Sequence, residues 1–351
     1  MLALASAARG QDDPPLILTN PEPPGVGPKD QAGPTRGPVV PVTNVAGGAV
    51  FLFDPVTPTG VEGKVPFGYA LEWVPRRPVV NSDRDLGVLR QDAAVRFPVY
   101  NRGPDLLIGG IGVRNTLFTG DAVFPRGRDV PDSLWDIRGS LTYLRQLDAG
   151  WAAGGSVTVG SPSDKPFHSA AEVVPTLNAF LRVPAAREPD AWLFALFYSP
   201  VGEIRFPIPA AAYLWNPSDN LQLTLGLPLA VTWKPTDTLR VDAGYLPLRR
   251  VKAQVTWAIR DGFEAFGGYE WANDPYLRAG RLDNKEQLFV YEMRVPGGVR
   301  LFLRDHWVFD AAAGWAFQRE LFNGRTYSDR RFDGIRVEPG VFAQFRLAYR
   351  F

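Results

Sequence analysis

From about residue 64 onward, apolar and polar side chains alternate one for one in segment after segment. In residues 90–100, Val95, Phe97 and Val99 oppose Arg90, Asp92 and Arg96, and in 134–143 Trp135, Ile137, Leu141 and Tyr143 oppose Asp136, Arg138, Ser140 and Thr142. Val251, Val255, Trp257 and Ile259 oppose Lys252, Gln254, Thr256 and Arg260. Phe289, Tyr291, Met293, Val295, Val299, Leu301 and Leu303 oppose Glu292, Arg294, Arg300, Phe302 and Arg304. A strand puts successive side chains on opposite faces, so each segment predicts a strand with one apolar and one polar face.

The connections alternate in length. Short turn clusters fall at 101–104, 147–150, 184–190, 217–219, 235–237, 260–262 and 304–306, and longer polar stretches at 76–87, 119–131, 161–169, 273–285 and 321–337. Two further connections, at 226–229 and 244–248, carry a Pro that removes a ladder hydrogen bond, so each predicts a hairpin tip. Short turns on one side and long loops on the other are what an up-and-down barrel in a membrane requires, with about 12–16 strands. A soluble β-sandwich or propeller also alternates, but does not call for a charged residue opposite the apolar face of nearly every strand.

In the last fourteen residues, Val341, Ala343, Phe345, Leu347, Tyr349 and Phe351 alternate with Gln344, Arg346, Ala348 and Arg350. This segment resembles the C-terminal strand of bacterial outer-membrane β-barrels. The resemblance implies an assembly signal at Phe345, Leu347, Tyr349 and Phe351 that the barrel-assembly machinery reads, and an outer-membrane location with the strand ending in the periplasm.

Composition fits this picture. The chain has 351 residues, 35 Gly, 33 Pro, 12% aromatics, two His and no Cys, which favours many short strands and turns and removes disulfides and thiolate metal sites. A net charge of +1 gives no general pull toward nucleic acid or anionic lipid. No run approaches the roughly 20 apolar residues of a membrane helix. The mean hydropathy of -0.11 decides nothing, because a barrel hides its lipid face from a window average.

Residues 1–8 read as the remnant of a signal peptide, with Ala5 and Ala7 spaced as at a cleavage site. Residues 9–63 read as a Pro- and Gly-rich periplasmic linker, largely disordered, and 64–351 as the barrel.

No catalytic constellation stands out, and the sequence is read as that of a non-enzyme. His168 and His306 sit in connections. Ser218, Asp219 and Asn220 read as a turn, and Gly109, Gly110 and Gly112 lack the rest of a phosphate-binding loop. Asp274, Asp283 and Glu286 read as solvated loop acids without the spacing of a calcium loop. No metal, nucleotide or redox cofactor is implied. Chemistry is expected in the lumen, where the polar faces would gather Arg96, Arg114, Arg138, Arg240, Lys252, Arg294, Arg300 and Arg346 with Asp136, Asp242, Glu264 and Glu292. Charges facing lipid cost several kcal/mol, so these groups must meet water or one another.

Three functions follow: a passive channel for small hydrophilic solutes, leaning to anions; a non-conducting structural or adhesion barrel locked by salt bridges; and a hydrophobic-solute transporter, for which only the strands around Trp192–Trp215 lack a clear polar face. The expected partners are outer-membrane lipid, the assembly machinery and small solutes, with no nucleic acid; homo-oligomerisation is left open.

Overall fold

The computed structural model describes residues 56–59, 61, 64–281, 283–304 and 306–350. The proposed signal remnant, most of the proposed linker and Phe351 lie outside the described residues. The strands are β1 (Phe67–Pro78), β2 (Asp85–Arg102), β3 (Asp105–Gly120), β4 (Ser133–Gln146), β5 (Ala152–Ser163), β6 (Val174–Pro184), β7 (Ala191–Tyr198), β8 (Ile208–Ser218), β9 (Leu221–Gly226), β10 (Leu229–Trp233), β11 (Leu239–Leu246), β12 (Arg250–Arg260), β13 (Phe263–Tyr276), β14 (Gln287–Leu303), β15 (Trp307–Gly324), β16 (Gly334–Val337) and β17 (Gly340–Tyr349).

From β1 to β16 each strand pairs antiparallel with its sequence neighbour, β17 pairs with β15, and the ring closes where β17 pairs with β1 over Phe67↔Tyr349 to Trp73↔Ala343. β16 and β17 are consecutive pieces of one wall position, since both lie along β15, so the seventeen strands make a sixteen-strand closed barrel. Both Pro-containing tips are hairpins, between β9 and β10 and between β11 and β12. The strand number therefore sits at the top of the range read from the sequence. The sequence reading did not mark residues 199–207, which join β7 to β8 as a further connection at the long-loop end.

Alternation in the wall follows the sequence pattern. On β12, Lys252, Gln254 and Thr256 are buried inside, while Val255 and Trp257 are 46% and 56% exposed outside. Ile111, Leu141, Val157, Leu177, Leu196, Val295 and Phe345 continue the same exposed apolar face round the ring. An apolar surface of this extent has no place in water, and with every wall strand paired to two neighbours the barrel satisfies the demand a bilayer makes of the backbone. Trp151, Trp192, Trp215, Trp233, Trp257 and Trp307 each lie within about three residues of a strand's short-turn end, forming the aromatic girdle of a transmembrane barrel. Val255→Arg should therefore cost about 2–4 kcal/mol in reversible unfolding if the site lies near the bilayer midplane. Gln254→Ala, on the opposite face, leaves the lipid contact intact, and equal losses at the two sites would refute the face assignment.

Candidate functional site: a charged latch inside the barrel

On the side of the ring formed by β1–β3 and β12–β17, the inner face carries a buried ionic layer. Arg294 of β14 reaches Glu72 of β1, forks onto Glu270 of β13 with Nε and Nη2 each 2.7 Å from Oε2, and lies 3.7 Å from Glu292. Arg90 of β2 binds Glu72 at 2.7 Å. Lys252 of β12 and Arg346 of β17 both approach Glu270 at 3.4 Å, and Arg319 approaches Glu292 at 3.3 Å. Beside this group Arg114 of β3 is held by Asp92 at 2.5 Å and reaches Asp274 of β13 at 2.9 Å, and Arg250 binds the same Asp274 at 2.9 Å. β3 and β13 are not neighbours in the ring, so the Arg114–Asp274 pair spans the interior. The room left among these side chains is about 50 Å³, enough for a few waters.

A second layer lies toward the short-turn side. Val56 is 1% exposed and packs with Ala70 and Ala94 on the inner faces of β1 and β2. The Thr59 carbonyl accepts hydrogen bonds from Arg300 Nη1 at 2.9 Å and Gln254 Nε2 at 3.5 Å. Arg300 is itself fixed by Asp310, through Nε at 2.7 Å and Nη2 at 3.0 Å, and by Glu264 at 3.2 Å. Residues 56–59 thus occupy the lumen, and Arg96 ties down the chain leaving it by donating to the Val65 carbonyl at 3.2 Å.

The long-loop end is closed by apolar packing and a strap. Ala122 and Phe124, from the connection between β3 and β4, join Leu86, Leu134, Leu288, Val290, Leu321 and Ile335 in one buried cluster. The strap runs from β13: Leu277 N donates to the Pro162 carbonyl at 2.7 Å and Ala279 N to Asp164 Oδ1 at 2.6 Å. β5 and β13 stand eight places apart whichever way the sixteen are counted, so this segment crosses the mouth. Arg281 then binds Glu172 at 3.1 Å. Burial alone would raise the Glu172 carboxyl, but the Ser169 hydroxyl and amide, followed by Arg281, outweigh it and hold it below its ordinary value. The strap's stabilisation is full above the usual glutamate range of about 4.3 and is lost as pH falls through the lower folded value. Protease accessibility of residues 277–281 should rise on acidification below that range, and the rise should be smaller in Glu172→Gln, which leaves only the Asp164 carboxylate to titrate against the strap.

The structure gathers residues that the sequence lists separately. Arg96, Arg114, Arg138, Arg240, Lys252, Arg294, Arg300, Arg346, Asp136, Asp242, Glu264 and Glu292 lie on inward positions of their strands, with Arg138 paired to Asp136 and Arg240 to Asp242 at 2.7 Å. One acid needs correction: Asp274 lies in β13 facing the latch and not in a loop. Glu72, the acid that receives both Arg90 and Arg294, was missed, although Tyr69, Leu71 and Trp73 alternate with Ala70, Glu72 and Val74. Of the proposed assembly signal, Phe345 is exposed outward and Tyr349 packs on Trp307 with ring centroids 5.0 Å apart.

No family model matches the sequence, and no curated protein matches it. Among solved structures, the chain is similar to an outer membrane channel from Pseudomonas putida F1 at 10% identity and a TM-score of 0.38, over 84% of this chain and all of that one. It is similar to the Pseudomonas putida toluene transporter TodX at 9% identity and a TM-score of 0.33, over 89% and 94%. It is also similar to the translocator domain of the autotransporter NalP from Neisseria meningitidis at 12% identity and a TM-score of 0.28, over 83% and 90%. These are likenesses of one β-barrel to others, and the solute, the state of the pore and the partners rest on this chain's own residues.

Proposed function

We propose that this chain is a bacterial outer-membrane barrel, closed at rest, that passes small hydrophilic solutes with a preference for anions when its ionic latch hydrates. The observation that carries the reading is the chemistry of the filling: Arg294, Glu72, Glu270, Lys252 and Arg346 meet where a permanently closed barrel could hold apolar side chains. Exchanging a buried ion pair for packed apolar groups is often neutral or stabilising by about 1–4 kcal/mol, so a rigid wall gains nothing from charges inside it. Charges do make a filling that water can reclaim. Once one pair parts, each partner is solvated, whereas an apolar plug excludes water. The N-terminal segment would then lie on the periplasmic side, consistent with short turns at the end where β1 begins.

Refolded full-length protein in planar bilayers tests this. Wild type should show rare, brief openings with an anion-biased reversal potential in a salt gradient, and Glu72→Gln should open longer. Silence from both would overturn the channel and favour the salt-bridged structural barrel. A second reading, passage of an apolar solute, has one observation behind it: Phe180, Leu193, Ala212 and Leu214 cluster on the inner face of β6–β8. Uptake of an aromatic hydrocarbon into proteoliposomes without ion conductance would favour it.

A further inference from the structure

We propose that the latch cavity is a binding site for one small inorganic anion of halide size. Among the described residues, the charges in the group around Arg294 do not balance. Five cations, Arg90, Lys252, Arg294, Arg319 and Arg346, share three carboxylates, Glu72, Glu270 and Glu292. Glu270 alone serves three of them, and its contacts are unequal: Arg294 takes the 2.7 Å bonds, leaving Lys252 and Arg346 at 3.4 Å each. The other described acids nearby are committed elsewhere. Asp92 and Asp274 are matched by Arg114 and Arg250, and Asp310, which faces Arg346 across the β15–β17 pair, gives both oxygens to Arg300, where Glu264 also binds.

A second observation is independent of the count. Arg346 lines the cavity, is 4% exposed, and its Nε has no hydrogen-bond partner. A buried guanidinium N–H left unpaired costs more than an ordinary polar group, because its charge has been taken from water as well. Lys252, 7% exposed, lines the same space. An anion there would accept from Arg346 Nε and face Lys252, relieving the unpaired donor and the positive surplus together. The volume of about 50 Å³ selects a halide over any solute with a carbon skeleton. The inference rests on the proposed anion preference for its use only: a halide could bind here whether or not the barrel ever conducts.

The test is made on the refolded full chain in detergent micelles and involves no conductance. Chloride NMR linewidth and thermal unfolding are compared in sodium chloride and in sodium gluconate at equal ionic strength, gluconate being too large for the cavity. Chloride should broaden beyond its width in empty micelles and raise the unfolding midpoint above that in gluconate. Arg346→Gln should abolish both effects, and Lys252→Gln should weaken halide binding at least tenfold. If Arg346→Gln does not fold, the wild-type contrast and Lys252→Gln still decide. Equal midpoints in the two salts, or a chloride signal unchanged in the variants, overturns the site. Chloride binding in a barrel that never conducts would leave the site standing and remove the channel.

Discussion

Arg294→Ala should destabilise the barrel by about 3–5 kcal/mol and let water into the latch. Arg294 is the group on which three carboxylates from β1, β13 and β14 converge, and alanine leaves Glu72, Glu270 and Glu292 facing one another with Arg90, Lys252, Arg319 and Arg346 as the remaining cations. The loss is large because Arg294 is the 2.7 Å partner of Glu270, whose other cations stand at 3.4 Å, and the cheapest way to satisfy the buried carboxylate is water. Equilibrium unfolding in denaturant, with the folded barrel scored by its mobility in unheated gels, measures the stability term; bilayer recording measures the hydration. Arg294→Lys should fall between, since it keeps the charge and loses the guanidinium fork whose Nε and Nη2 both close on Glu270 Oε2. Wild-type stability in Arg294→Ala would mean that the remaining cations neutralise the three acids unaided, and the latch would then have no keystone.

Much of this architecture is legible in the sequence because a barrel wall is governed by a rule of period two. Val255 and Trp257 outside, with Gln254 and Thr256 inside, are fixed by alternation alone once a strand is recognised. Inward charges such as Arg300, Glu264 and Lys252 are legible for the same reason. Their partnerships are not. Arg114 and Asp274 are 160 residues apart and meet only because the ring curls β3 toward β13. Asp274 was assigned to a loop because polar residues such as Asn273 and Asp274 at a strand's end look the same as loop residues; a wet lumen accepts them in the strand. Whether facing charges cancel or line an open passage depends on the lumen's width, a property of the closed ring and not of any one strand. Residues 56–59 were hidden by the opposite cause: Val-Thr-Pro-Thr has the composition of its linker, and only the inner walls of β1 and β2 make a place for it.

Gly68→Val should expel residues 56–59 from the lumen while leaving the Arg294 group in place. A Cβ at Gly68 would stand 2.9 Å from Val56 Cβ and 2.9 Å from the Val56 carbonyl oxygen, closer than a real side chain tolerates, so either the segment or the wall must move. The wall is held by pairing on both sides, with Gly68 opposite Ala348 on β17 and Ala94 on β2. The segment is held by Val56's burial and by the bonds from Arg300 and Gln254 to one carbonyl. Burying a valine contributes about 1.5–3 kcal/mol, so losing it should raise the displaced population by roughly ten- to a hundredfold. With no native Cys to interfere, a Thr59→Cys reporter reads this directly. The substitution costs little, because the Thr59 hydroxyl is buried without a partner and Arg300 binds the backbone. Labelling by an aqueous maleimide should be slow in the Thr59→Cys background and at least tenfold faster when Gly68→Val is added. Fast labelling in both would place Thr59 in open water and remove the segment as a closure. Slow labelling in both would mean that the segment keeps its place without the burial of Val56, and that burial would then be no part of the closure.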